Sequence, residues 1–193
     1  MRVIHTASPR GRRVRMFLLL LLIPVIAAAL YTAGRLYFKT AYPLHYEDLV
    51  HEAAAEYGVP ESLIYAVIRA ESGFDPNAVS HAHAQGLMQI TDETLTWSRY
   101  RLHLDSDGLD LFDPATNVQT GTHVLSLLCE QYDAVETVLA AYNAGIGTVN
   151  KWLADPDLSA DGRTLSRIPF PETEAYVQNV LASKRMYEFL YSI

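Results

Sequence analysis

Glu71 ends an apolar run, Leu63 to Ala70, and stands directly before Ser72-Gly73. A helix over that run would set its negative end beside the carboxyl group and oppose ionisation. An apolar wall would raise the pKa further. A carboxyl group kept protonated near neutral pH can act as a general acid; the plainer reading is a helix-ending glutamate that faces water, and position alone leaves both open. Two other runs, Gly86-Leu87-Met88-Gln89-Ile90 and Ala141-Tyr142-Asn143-Ala144-Gly145, are low in charge yet hold amide and phenol groups among apolar neighbours. Such groups need partners when buried. Either Gln89 and Asn143 bond local backbone in core turns, or the amides and the Tyr142 ring line a groove that binds a sugar. The other acids read as solvated surface, with Asp75 a turn residue before Pro76 and Asp92 a helix-start residue. His81-x-His83 has the spacing of a metal pair but no nearby Cys or firm third ligand, and reads as two exposed loop histidines. No metal and no cofactor is expected.

These residues must be positioned by helices, since no convincing alternating strand occurs and the fold class reads as all-α. Leu44, Leu49, Val50, Ala53 and Tyr57 recur at near-helical spacing and stop at Gly58. A second helix, with Pro60 in its first turn, carries Leu63, Ile64, Val67 and Ile68 and ends near Gly73. Asp113-Pro114 is an N-cap followed by proline at the first helical position, opening a helix with Val118, Val124, Leu125, Leu127 and Leu128, to whose apolar face Cys129 is assigned. Further helices are expected over Val135–Ala144, stopped by Gly145, and from Glu172 to about Tyr191, opened by Pro171. Between them Ala154 to Phe170, with Asp155-Pro156 and Asp161-Gly162, reads as a long loop.

The chain of 193 residues, half of them hydrophobic, is long enough for one core-bearing domain plus a tail. A lone cysteine excludes an internal disulfide framework and a cysteine zinc site. The net charge of −7 conceals an asymmetry: the seven basic residues up to Lys39 stand without an acid, and the remainder carries 8 basic and 22 acidic groups. A nucleic-acid partner is therefore not expected. Met16 to Ala33 is uncharged, about 27 Å of helix at the standard rise per residue, and follows Arg10, Arg12, Arg13 and Arg15. This places a cytoplasmic N-terminus before a single membrane anchor, with everything after Gly34 outside. A cleaved signal peptide, with Ala27-Ala28-Ala29 or Tyr31-Thr32-Ala33 as its site, is the competing reading.

Five blocks in order carry a family resemblance: Glu71-Ser72-Gly73-Phe74-Asp75-Pro76-Asn77-Ala78-Val79-Ser80; Gly86-Leu87-Met88-Gln89-Ile90; Leu111-Phe112-Asp113-Pro114 with Asn117; Ala140-Ala141-Tyr142-Asn143-Ala144-Gly145; and Ile168-Pro169-Phe170-Pro171-Glu172-Thr173 with Tyr176-Val177. Together they resemble the soluble lytic transglycosylase (SLT) family of lysozyme-like, murein-cleaving enzymes, and the anchored layout is similar to its small membrane-tethered members. Charge and hydropathy give a basic cytoplasmic tail at 1–15, a transmembrane signal-anchor at 16–34 and a linker at 35–43, and the resemblance implies a lysozyme-like helical domain at 44–193. It implies cleavage of the β-1,4 bond between N-acetylmuramic acid and N-acetylglucosamine without water, leaving a 1,6-anhydromuramoyl end. Glu71 matches the single catalytic acid that then serves as base. Ser72, Met88, Gln89, Tyr142, Asn143 and Tyr176 match substrate-binding positions, with Gly86 and Glu172 as structural or groove support, Glu172 either pairing a buried group or reacting. The expected partners are peptidoglycan glycan strands and, through residues 16–34, the cytoplasmic membrane, with the chain a monomer. Simple hydrolysis, as in goose-type lysozyme, and a non-catalytic glycan-binding anchor are the alternatives. The sequence departs from the family pattern at His83, where glycine is usual, and at Ile146, where proline is commoner.

Overall fold

A computed structural model describes residues 9–193, with side chains at Phe17 and from Leu19 onward. Its described residues form eight helices: α1 (Pro9–Ala41), α2 (Glu47–Tyr57), α3 (Glu61–Glu71), α4 (Asp92–Arg101), α5 (Pro114–Gln131), α6 (Val135–Ala144), α7 (Ile146–Leu153) and α8 (Pro171–Tyr191). Two units separate at Pro43 and Leu44.

The first unit is α1. Its stretch Leu19–Ala41 is long and apolar enough to cross a membrane, and none of it is buried. The expected linker at 35–43 is instead helical as far as Ala41. Gly34 does not stop the helix, because Leu36, Tyr37, Phe38 and Lys39 offer no breaker before Pro43 and one interior glycine costs only about 1 kcal/mol. Residues 1–8 and the arginine side chains of the expected cytoplasmic tail lie outside what is described.

In the second unit, α3 is the central helix. Every residue from Ser62 to Ile68 is buried, as a helix apolar on all sides must be. It packs chiefly on α8, where Tyr65 stacks on Tyr187 with ring centroids 5.2 Å apart, and also on α2; α8 reaches α6, and α5 lies against α2, α4 and α6. The caps follow the local chemistry. Gly58 closes α2 at φ 68°, and the Asp113 carboxylate accepts the Thr116 amide ahead of Pro114 to open α5.

Three details differ from expectation. Helix α4 carries only two buried residues, Leu95 and Ser98, so no apolar period marks it, although Thr91 caps it through the Thr94 amide at 3.1 Å. Helix α7 begins at Gly145, which ends α6 and N-caps the next helix; a glycine read as a stop thus hid a restart. Cys129 is exposed, one residue round the helix from Leu128, which faces the core. The stretch 154–170 holds no helix, and folds on Leu158 and Ser159, both buried.

Candidate active site

Glu71 is the last residue of α3 and is half-buried. Burial pushes its carboxyl group up to about 7, with the nearby Tyr176 hydroxyl pulling in the opposite direction. The carbonyl end of α3 adds to the cost of ionisation. The Tyr142 and Tyr176 phenols are both held well above their ordinary range, first by burial and then by the Glu71 charge. The three groups therefore share one low-dielectric site. Tyr142 Oη donates to the Met88 carbonyl at 2.9 Å. Tyr176 Oη is buried and makes no hydrogen bond of full geometry, so its effect on Glu71 is that of a donor at the margin of bonding range, ready to follow the carboxyl group as its charge changes.

The 86–90 turn is locked from several sides. Ser72 Oγ donates to the Leu87 carbonyl at 2.8 Å and accepts the Phe74 amide at 3.1 Å, joining the end of α3 to the turn. Asn117, fully buried on α5, accepts the Met88 amide at 2.7 Å and donates to the carbonyls of Gln85 and Leu111, each at 2.8 Å. Gly86, at φ 74°, is where a Cβ would collide with the Asn117 amide and the Leu111 carbonyl. A Cβ on Gly121 would fall 2.8 Å from the Met88 Cβ. Gln89 sits at φ 51° and is held there by its own Nε2, which donates to Gly86 O at 3.0 Å and Ala78 O at 3.2 Å. Such left-handed residues cluster where a site over-determines the backbone.

Among the expected site residues, Met88 is fully buried, giving its side chain a packing role and leaving its carbonyl as its offer to Tyr142. The two readings of the amide-bearing turns resolve differently. Gln89 bonds local backbone and also lines a cleft of about 380 Å³ with Ile90, Glu93, Trp97, Val124 and Tyr142. Asn143 is exposed and lines a second hollow, of about 390 Å³, with Phe170, Glu172 and Thr173. Glu172 is exposed rather than paired in the interior. Glu71 itself lies in neither lining; the adjacent residues Tyr142 and Asn143, near the end of α6, line one each. Asp75 is exposed and accepts the Asn77 amide at 2.9 Å in an Asx turn, and Asp92 is the exposed first residue of α4. His81 and His83 are exposed. Trp97 and Glu93 were not anticipated, because helix α4 itself has no periodic signal; Asn117 was visible only as part of a block without a role.

The family described as transglycosylase SLT domain matches residues 48–161, more than half of the chain. The chain is 35% identical over 163 residues to the soluble lytic murein transglycosylase of Escherichia coli K12, covering 81% of this chain and 25% of that protein. It is 34% identical over 166 residues to membrane-bound lytic murein transglycosylase C of Salmonella arizonae, covering 74% and 46%. The solved structure of an inactive Glu-to-Gln mutant of the lytic transglycosylase Slt from Pseudomonas aeruginosa superposes with TM-score 0.67 at 30% identity, over 78% of this chain and 25% of that one. The chain thus spans a quarter to under half of these proteins. The likeness extends to the lysozyme-like helical fold expected from the sequence. With a family match over most of its helical unit, the chain belongs to the transglycosylase SLT domain family.

Proposed function

We propose that the protein is a membrane-anchored lytic transglycosylase that cleaves the β-1,4 bond between N-acetylmuramic acid and N-acetylglucosamine in peptidoglycan. One observation carries this reading: Glu71 is a buried carboxyl group with its pKa at about 7, faced by the two phenols of Tyr142 and Tyr176. Half-protonated at neutral pH, it donates its proton to the glycosidic oxygen as the C1–O bond breaks. The carboxylate so formed takes the proton from the C6 hydroxyl of the muramoyl unit, whose oxygen bonds to C1. The proton returns to Glu71, no water is consumed and a 1,6-anhydro end results. A single carboxyl group serves both steps, unlike the paired carboxylates of most glycosidases. Asp75, engaged in its turn, and Asp92, exposed on α4, have no step. The inactivity of the Pseudomonas enzyme's Glu-to-Gln mutant supports chemistry carried by one glutamate.

The exposed apolar length of α1 and the membrane-bound relative support anchoring. The arginines before it orient the N-terminus to the cytoplasm and the helical unit to the outside. Protease added to intact cells should then remove the 44–193 unit and spare a tag at Met1.

Purified sacculi treated with the wild-type chain should release muropeptides one water lighter than reducing-end products. Glu71→Gln should lower turnover by about 10²–10⁴-fold, while Asp75→Asn and Asp92→Asn stay near wild type. Reducing ends would reassign the reaction as hydrolysis. Binding to sacculi without release would reassign the protein as an anchor.

A further inference from the structure

The cleft that opens from Tyr142 and Gln89 does not end at the chemistry. Glu93 and Trp97, one turn apart on α4, line it and also line a second, open hollow with Asp92, Thr96 and Tyr100. Sharing Glu93 and Trp97, the two spaces form one path that leads from Tyr142 out along α4. Its floor is aliphatic, with Val124, Leu128 and Ile146. Among the described residues its charges are carboxylates, and no Lys, Arg or His lines either part. Arg99, the nearest cation along α4, turns away and donates from Nε to the Asp105 carbonyl at 2.9 Å. Aliphatic side chains, the Trp97 indole and the Glu93 and Asp92 carboxylates are complementary to a short alkyl chain ending in an ammonium group. The methylenes bury against the floor, and the charge lies between the ring face and the Glu93 carboxylate.

We propose that this path binds a cationic, primary-amine-bearing side chain of the peptides attached to the glycan, and that Glu93 and Trp97 thereby set the preference of the enzyme for strands whose peptides keep a free amine. This rests on the lytic transglycosylase reading above. An anionic group is disfavoured there by Asp92 and Glu93.

The test uses the full-length protein and three substrates: sacculi with free peptide amines, the same sacculi N-acetylated with acetic anhydride, and glycan stripped of its peptides by an amidase. The expected wild-type KM on free-amine sacculi is about five- to tenfold below that on acetylated sacculi, in line with one solvent-edge ion pair plus a cation–π contact. Glu93→Gln should abolish that preference by raising KM on free-amine sacculi to the acetylated value, with a smaller change on peptide-free glycan. Trp97→Leu should weaken it likewise. Retention of the preference in Glu93→Gln overturns the proposal. Equal losses on peptide-free glycan in both variants also overturn it, and give the path to the sugars. A readout without turnover keeps this separate from the catalytic assignment. Calorimetric titration of Glu71→Gln protein with a disaccharide-peptide carrying a terminal amine should show binding that weakens about five- to tenfold on N-acetylation and loses that difference when Glu93→Gln is added. Equal affinity for the two ligands overturns the proposal even if no substrate is cleaved.

Discussion

Tyr142 and Met88, 54 positions apart, are joined by a 2.9 Å hydrogen bond from the phenol to the main-chain carbonyl, and the amide of the same Met88 is held by Asn117 at 2.7 Å. The peptide unit on each side of Met88 is thus pinned, one by α6 and one by α5. The Tyr142 phenol, which feels the Glu71 charge, takes its position from this clamp. Because Tyr142 spends its proton on Met88, it has none to offer Glu71, whereas the Tyr176 hydroxyl favours the Glu71 carboxylate.

That division predicts the pH profile. The free enzyme must hold Glu71 protonated, so kcat/KM should fall about tenfold per pH unit above about 7. Tyr176 lowers the Glu71 pKa by favouring its charged form; Tyr176→Phe should therefore move the alkaline limb upward. A limb that stays put, or moves down, would show that Tyr176 does not act on Glu71.

The same carboxyl group makes a stability prediction. In the unfolded chain Glu71 ionises near 4.5, in the fold near 7. Between those values the unfolded state has lost its proton and the folded state has not, so folding stability contributed by this group is full below about 4.5 and is lost as pH rises to about 7. The loss is at most about 3 kcal/mol for a shift of this size. Glu71→Gln removes it. Denaturant midpoints should show the variant more stable than wild type at pH 8 and equal to it near pH 4.

Much of this was legible in the sequence because capping chemistry is local. Asp113-Pro114, Gly58 and Pro171 mark their helices by what their own atoms can and cannot bond, and Glu71 is recognisable as a helix-ending carboxyl group. Of helix α4 only the start, at Asp92, was legible, for a physical reason: its buried residues are Leu95 and Ser98 alone, so tertiary contact and one threonine cap hold it, not an apolar stripe. Helix α7 was hidden because one glycine at φ 87° serves two helices. The burial of Met88 and the three bonds of Asn117 are long-range, spanning up to 32 positions, and no local pattern reports them.

Asn117→Ala should be severe. It leaves the Met88 amide and the Gln85 and Leu111 carbonyls without their partner in a buried site, at about 1–3 kcal/mol for each group that water cannot reach. Chemical denaturation should show a loss of at least about 2 kcal/mol, and residual folded protein should have lost activity as Met88 shifts. Gly86→Ala should act in the same direction by driving a methyl group into the Asn117 amide. A stable, active Asn117→Ala protein would remove the clamp from the account of the site.

His83 provides the opposite test, of strain without function. It stands at φ 60° at the end of a tight turn in which its amide donates to Ser80 O at 3.0 Å and the Ser80 amide donates to Ala84 O at 2.9 Å. The side chain is exposed, so nothing but the backbone is at stake, and a Cβ in the left-handed region costs about 1–2 kcal/mol. His83→Gly relieves that cost, and part of the gain is offset because glycine also widens the unfolded ensemble. The net expectation is a gain of up to about 1 kcal/mol, seen as a rise of about 1–3 °C in Tm, with turnover unchanged. His83→Ala is the control: it removes the imidazole and keeps the Cβ, so it should give no gain. If alanine stabilises as much as glycine, the imidazole and not the backbone is the source of the strain.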